Sequence, residues 1–288
     1  MHSTCAPAPD QPIDLMIALG ISCKLRDQTG APMYSDILHQ SAILIRQNIN
    51  IAFRIAGAWM VIMLVVSAIE GATEGIPGLG IFVTLINFVL ALVSGASIAS
   101  GWHRYGLLQE QPNLIHLRFG VYEQRVLWRM VQTALIMLAP IAAIILATML
   151  LNQVVPHVMM IALISVLTVL TIALMYRISF IVPASAVGHH LPVMEAFRIS
   201  KGYAGPMFVA TLLLSIPAIL VMGLAITGGY QILMGGSVVL GFVVLAVFGT
   251  LLQIITTTIG LAVVTVAYKN AAERLWAENP DNPMFAQH

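Results

Sequence analysis

The sequence predicts an all-α polytopic membrane protein, with six transmembrane helices forming three parallel hairpin repeats and with amphipathic cytoplasmic helices between them. Three observations carry that prediction. The 288-residue chain is 59% hydrophobic and 9% charged, with a mean hydropathy of +0.93, against about 45–50% apolar and about 25% charged in soluble domains. Six stretches, near 51–69, 81–100, 130–151, 158–176, 207–227 and 238–266, are apolar over the length a bilayer demands. A helix rising about 1.5 Å per residue needs about 20 residues to cross a hydrocarbon core of about 30 Å. Finally, all thirteen Lys and Arg residues fall on one side of this arrangement, and the connectors on the other side hold none. Under the positive-inside rule that side is cytoplasmic, so both termini lie inside and Glu70 and Glu74 sit in the first outer loop. With no barrel alternation in the sequence, the spans must be helices, because isolated strands leave backbone groups unpaired in lipid.

Taken in order, residues 1–32 are dotted with Pro and Gly and read as a disordered extension, with Met33 as an alternative start. The short run LMIALGISC (15–23) follows Asp10 and Asp14 with no basic residue upstream, which argues against a signal peptide. Cys5 and Cys23 both precede the first span and support neither a disulfide framework nor a CxxC metal site. Residues 33–276 form the membrane domain, and 277–288 a C-terminal tail. Each hairpin begins with an amphipathic segment: SDILHQSAILIRQN, GVYEQRVLWRM and PVMEAFRISKG. Each ends on an aromatic beside or near a base, at Trp102-His103-Arg104, Tyr176-Arg177 and Tyr268-Lys269. Pro140 and Pro217 fall near the middle of the third and fifth spans, where a proline deletes a backbone hydrogen bond. Every unit starts inside, so the repeats are parallel, unlike the inverted repeats of many transporters.

Few polar groups lie within the spans. Asn87, Ser94, Ser97, Thr168, Ser215, Gln253 and Thr256 to Thr258 are expected to bond between or within helices, and the small-residue run SGASIASG (94–101) to let a neighbouring helix approach closely. Trp102, Arg104, Tyr105, Tyr176, Arg177, Tyr268 and Lys269 are expected at the lipid headgroup interface, where amphipathic rings and bases settle. A second set, His103, Glu110, His189, Glu195, Arg198 and Lys201, is the candidate functional polar cluster. If these side chains converged on a cavity they could perform acid–base work. Nothing in the spacing specifies that: His103 and Glu110 lack an orienting third group, and the adjacent His189 and His190 do not make the i, i+4 pair of a zinc helix. No phosphate-binding loop, dinucleotide fingerprint or nucleophile elbow is present. No catalytic residue, metal or cofactor is therefore assigned. A net charge of +1 excludes a nucleic-acid binder with a basic stripe.

The residues Arg177, Pro183, Ala184, Ala186 and Gly188, followed by Glu195-Ala196-Phe197-Arg198 and Ser200-Lys201-Gly202, form a motif before the fifth span. It resembles one in a loose group of bacterial multi-pass inner-membrane proteins, including the membrane domains that precede some glycerophosphodiester phosphodiesterases. The segment Trp102 to Arg104 with Leu107, Leu108 and Glu110 looks like that of uncharacterised six-span proteins of proteobacteria. The resemblance, over roughly 36–275, implies a six-span protein of the bacterial inner membrane and no established activity; the phosphodiesterase domain itself has no counterpart here. The expected function is a non-enzymatic scaffold or accessory role at the membrane. A transporter or lipid-handling protein is the alternative. Membrane lipids are the expected partners, with a membrane-protein partner or a homo-oligomer as further candidates.

Overall fold

A computed structural model of the chain describes residues 33–73, 76, 78–151, 156–235 and 238–278. The expected extension 1–32, with Cys5, Cys23, Lys24 and Arg26, lies outside the described residues, as do Glu74 and the tail beyond Glu278. Among the described residues all regular structure is helical, and six helices are long and apolar enough to cross a membrane.

The chain opens with α1 (Met33–Gln47), carrying Asp36 in its first turn and Arg46 in its last, the charge order a helix dipole favours. Asn48 separates it from α2 (Ile49–Thr73). Its side-chain amide donates to Leu44 O at 2.9 Å, its carbonyl oxygen accepts the Tyr105 hydroxyl, and its backbone carbonyl starts the ladder of α2 at Ala52. One residue thus closes α1, opens α2 and ties both to α3 (Leu79–Leu108). Helix α3 ends at Gln109, whose left-handed backbone (φ 57°) turns its N–H onto Tyr105 O.

Helix α4 (Val121–Leu151) begins with the expected amphipathic segment 120–130 and runs without a break into the third span. That segment is the first two to three turns of the span, because no Gly, Pro or capping residue separates Val121 from Thr133. After α5 (His157–Ile178) come two short helices, α6 (Ile181–Ala186) and α7 (Val193–Ile199), then α8 (Ala204–Met234) and α9 (Val238–Glu278). Pro183 is the third residue of α6, where a missing N–H costs no ladder bond, and Pro192 immediately precedes α7. The turn between them contains Gly188 at φ +89°. Gly188 N–H meets Ser185 O and His189 N–H meets Ala184 O, a Schellman closure that needs the left-handed residue. Helices α4 and α8 continue through Pro140 and Pro217.

The spans pack in sequence, α2 on α3, α3 on α4, α4 on α5, then α5 on α8 and α8 on α9, and α9 returns to α2 and α3. Burial is concentrated at the end that carries the bases. There Ile37 of α1, Phe180, Ile181, Leu191, Ile199 and Met207 join Tyr268 of α9 in one apolar cluster. Phe180 meets Tyr268 edge-on at 5.8 Å. At the opposite end most side chains face outward, and only 6% of the apolar windows of α4 and α5 are buried. Glu70, expected in a loop, belongs to α2 and accepts hydrogen bonds from Thr84 (2.7 Å) and Asn87 of α3. This joins the first hairpin near its far end. Thr256 and Thr258 instead donate to carbonyls of their own helix, at Leu252 and Ile254.

Close approach of α3 and α9 depends on Gly106, where an added Cβ would lie 2.7 Å from Thr265 Cγ2. Gly106→Val is expected to lower stability by about 1–3 kcal/mol through overpacking, read as a fall in Tm of the detergent-solubilised protein. Gly223→Val, at a position with open space around it, should leave Tm nearly unchanged; equal effects of the two would remove the packing explanation.

Candidate functional site

The small-residue run of α3 builds a buried polar cluster at the basic end. Ala96 and Ala99 lie against Val126 of α4 and Ala186 of α6, so these helices come close enough for short polar side chains to reach across. Trp59 Nε1–H donates to Ser97 Oγ at 3.0 Å, and Ser97 donates onward to Arg118 O at 2.7 Å. This relay fastens α2, α3 and the 109–120 connector. Ser100 donates to Glu123 Oε1 at 3.3 Å. Glu123 is 1% exposed, and its other oxygen accepts Gly120 N–H at 2.7 Å. The glutamate is the third residue of α4 and caps its own helix start, satisfying a donor that the helix leaves open.

His116 is buried between these groups, against Gly101 of α3, where an added Cβ would lie 2.8 Å from His116 Nε2. Desolvation by burial holds its pKa below the ordinary histidine value; the Glu123 and Glu110 carboxylates and a backbone bond with Ser97 oppose that shift, and Arg118 reinforces it. While His116 turns inward, its neighbours Leu114, Ile115, Leu117 and Phe119 are exposed.

Arg104 completes the cluster. Its Nε donates to Glu110 Oε2 at 2.6 Å, its Nη2 pairs with the same carboxylate, and its Nη1 donates to Ala186 O at 3.0 Å. The guanidinium lies 4.1 Å from the centre of the Tyr122 ring. Similar devices recur. Arg177 Nη2 donates to Phe197 O at 2.7 Å and stacks over the Phe197 ring at 4.5 Å. Arg274 Nη2 donates to Ile199 O at 3.3 Å, with its guanidinium 5.2 Å from the Tyr203 ring. Ala186 and Ile199 are the last residues of α6 and α7, whose final carbonyls have no partner within the helix.

The aromatic residues expected at the headgroup interface lie inside the protein. Trp102 is 1% exposed, and Tyr105, Tyr176 and Tyr268 are buried among protein side chains, so their rings have no free face for a headgroup. Arg104 directs its donors to Glu110 and the Ala186 carbonyl, and Arg177 directs Nη2 to the Phe197 carbonyl. Lys269 is half-buried. Helix α3 runs on past Trp102 and Tyr105 to Leu108.

The candidate cluster of six does not share one set of partners. His103 is fully buried, and its Nδ1 lies 2.8 Å from Thr265 Oγ1. That hydroxyl donates to Leu261 O at 2.6 Å, so the imidazole N–H must be on Nδ1 and donate to Thr265. His103 clamps α3 to α9. Glu110 binds Arg104 and, at 3.6 Å, Arg118. His189 lines a groove against α4. Glu195 pairs with Arg198 at 3.0 Å within α7, beside a shallow cavity under Arg177 and Phe197. Lys201 is exposed after α7. Among the described residues no three His, Cys, Asp or Glu side chains come together as a metal site. Sequence reasoning missed Glu123, His116, Tyr122, Asn48 and Thr265. Only Glu123 carried a usable signal, the Gly120-x-x-Glu123 spacing of a helix start. Comparison with protein-family models, curated proteins and solved structures yields no match.

Arg104→Gln is expected to destabilise the protein by about 1–2 kcal/mol, because it removes the closer partner of the part-exposed Glu110 and the side-chain donor to the Ala186 carbonyl. Arg104→Lys should recover part of the loss, as one ammonium cannot reproduce the forked geometry; a lysine variant fully equal to wild type in Tm would refute this account. A histidine whose pKa is lower when folded binds fewer protons in the fold. Its contribution is intact above the unfolded value of about 6.5 and is lost as pH falls below it. Tm measured from pH 7.5 to pH 5 should therefore decline more steeply for wild type than for His116→Gln, and parallel profiles would exclude His116 as a source.

Proposed function

We propose that the protein is a non-enzymatic component of the bacterial inner membrane, a scaffold or accessory factor, with both termini in the cytoplasm and its basic end at the level of anionic headgroups. The segregation of charge carries this reading. Arg46, Arg54, Arg104, Arg125, Arg177, Lys201 and Arg274 lie at the helix ends gathered around α1, α6 and α7, while the connectors at the opposite end contain no Lys or Arg. A fixed orientation follows from such a bias. The exposed apolar residues of the 109–120 connector and of α1, including Leu114, Ile115 and Ile43, sit among these bases. That mixture suits the boundary between acyl chains and headgroups.

Of the polar groups that sequence inspection singles out for chemistry, His103 clamps α3 to α9 and Glu110 holds Arg104, which favours a structural over a catalytic role for these two. The motif resembling that of the phosphodiesterase-associated membrane domains supports the same view. Its Arg177 bonds the end of α7, and its Glu195 and Arg198 pair within that helix. The resemblance is accordingly read as one of architecture.

A transporter or lipid-handling role is the second reading, favoured by the sparse burial of α4 and α5 and by Pro140 and Pro217 inside α4 and α8. Reporter fusions test the orientation: a fusion after Gly78 should report the outer side, and a cytoplasmic signal there would overturn the topology. Liposomes containing the purified protein should show no specific flux across a panel of lipids and small solutes. Saturable flux of any one of them would replace the scaffold reading with the transport reading.

A further inference from the structure

One face of α4 remains outside the polar cluster. Val121, Gln124, Arg125, Trp128, Arg129 and Gln132 recur at the three- and four-residue spacing of a single helical stripe. This stripe forms one wall of a groove of about 690 Å³, and the Gly188–His190 turn after α6 forms the other. Two arginines and two histidines therefore border one space, and among the described residues no carboxylate lines it. Glu123, the acid nearest in sequence, is turned away to Gly120 and Ser100. Neither Arg125 nor Arg129 has an acidic partner within ion-pair distance among the described residues, in contrast to Arg104, Arg118 and Arg198. Arg129 is oriented along the groove by donating to Gln132 Oε1 at 2.7 Å. Arg125 lies 5.7 Å from the Tyr122 ring.

The groove's position along α4 narrows the choice of ligand. At about 1.5 Å per residue the 31 residues of α4 span about 46 Å, some 15 Å beyond what a hydrocarbon core requires. The bases stop at Arg129, and a continuous apolar run begins after Thr133. Hence the stripe lies in the part of the helix that projects past the acyl chains. Trp128, 68% exposed within the groove, is an indole placed where an interfacial ring is stable. Guanidinium pairs are the preferred partners of phosphate oxygens, which accept two parallel N–H bonds from each fork.

We propose that this groove binds a phosphate group at the membrane surface, with Arg125 and Arg129 as the anion-binding pair, His190 and the Gly188 turn as the opposite wall, and Trp128 against the adjoining acyl chain. An anionic phospholipid headgroup and a free phosphate share the chemistry that the groove recognises. The assignment rests on the orientation given under Proposed function, which places this end among headgroups.

The test uses the full chain purified in a neutral detergent. Retention of added phosphatidylglycerol and of phosphatidylcholine is measured by native mass spectrometry, and Tm is followed with each lipid and with inorganic phosphate alone. Phosphatidylglycerol should be retained at least tenfold more than phosphatidylcholine and should raise Tm. The Arg125→Gln/Arg129→Gln double variant should lose that preference. If the double variant fails to fold, Gln124→Glu, which adds a negative charge at an exposed position while keeping both arginines, should weaken retention in the same direction. Arg198→Gln, at an exposed base outside the groove, should change nothing. A Tm rise with inorganic phosphate that is lost in the same variants would also support the site and assign it to a soluble phosphate. Equal retention of both lipids by wild type with no response to phosphate, or retention unaffected by both groove variants, would overturn the proposal. Reporter fusions that keep the basic end inside while the groove fails would confine the failure to the groove.

Discussion

Helices α6 and α7 end on buried residues, Ala186 and Ile199, so their last carbonyls must find partners inside the protein. That constraint organises the basic end. A helix leaves its final carbonyls without partners, and here Arg104, Arg177 and Arg274 reach them at Ala186, Phe197 and Ile199. Each guanidinium comes from the closing part of one hairpin, and each lies over an aromatic ring. One interaction, repeated three times, therefore places α6 and α7 against the spans and lets the apolar cluster of Phe180, Ile181, Leu191 and Tyr268 form around them. The planar, forked side chain suits this task because it can donate to a carbonyl, pair with a carboxylate and stack at the same time.

The location of that cluster follows from the two solvents. Lipid tails are as apolar as a leucine side chain, so burying one against another within the bilayer gains little, and close packing there depends on small residues and hydrogen bonds. Where water is present, removal of apolar area from it stabilises the fold in the ordinary way. The described residues divide accordingly. The basic end has a dense apolar cluster, with close approaches at Gly106, Ala96 and Ala99, whereas near the far end the first two spans meet through the polar contacts of Glu70 with Thr84 and Asn87.

Much of this architecture was legible in the sequence because length and hydropathy dictate a bilayer span directly. The amphipathic segments before α2 and α8 were legible for the same reason. The continuity of the second segment with its span was also open to view, since no helix breaker intervenes between Val121 and Thr133. The roles of individual residues were not. Trp102, Tyr105 and Tyr268 have the composition of an interfacial belt, and only tertiary contacts reveal that they face inward. His103 depends on Thr265, far away in sequence, and Tyr105 on Asn48. Arg274 rather than Lys269 supplies the third arginine contact, because the base must reach back to the end of α7, and an aromatic–basic dipeptide carries no information about that reach.

The sparse burial of α4 and α5 has a consequence for what specifies their positions. A helix pair with so little of its surface in contact with other protein has few side-chain contacts to define its tilt. Hydrocarbon thickness and headgroup anchoring supply the missing restraints in such cases. For this hairpin the surrounding bilayer is therefore part of the structural specification, and a membrane of different thickness is a different folding environment for the same sequence.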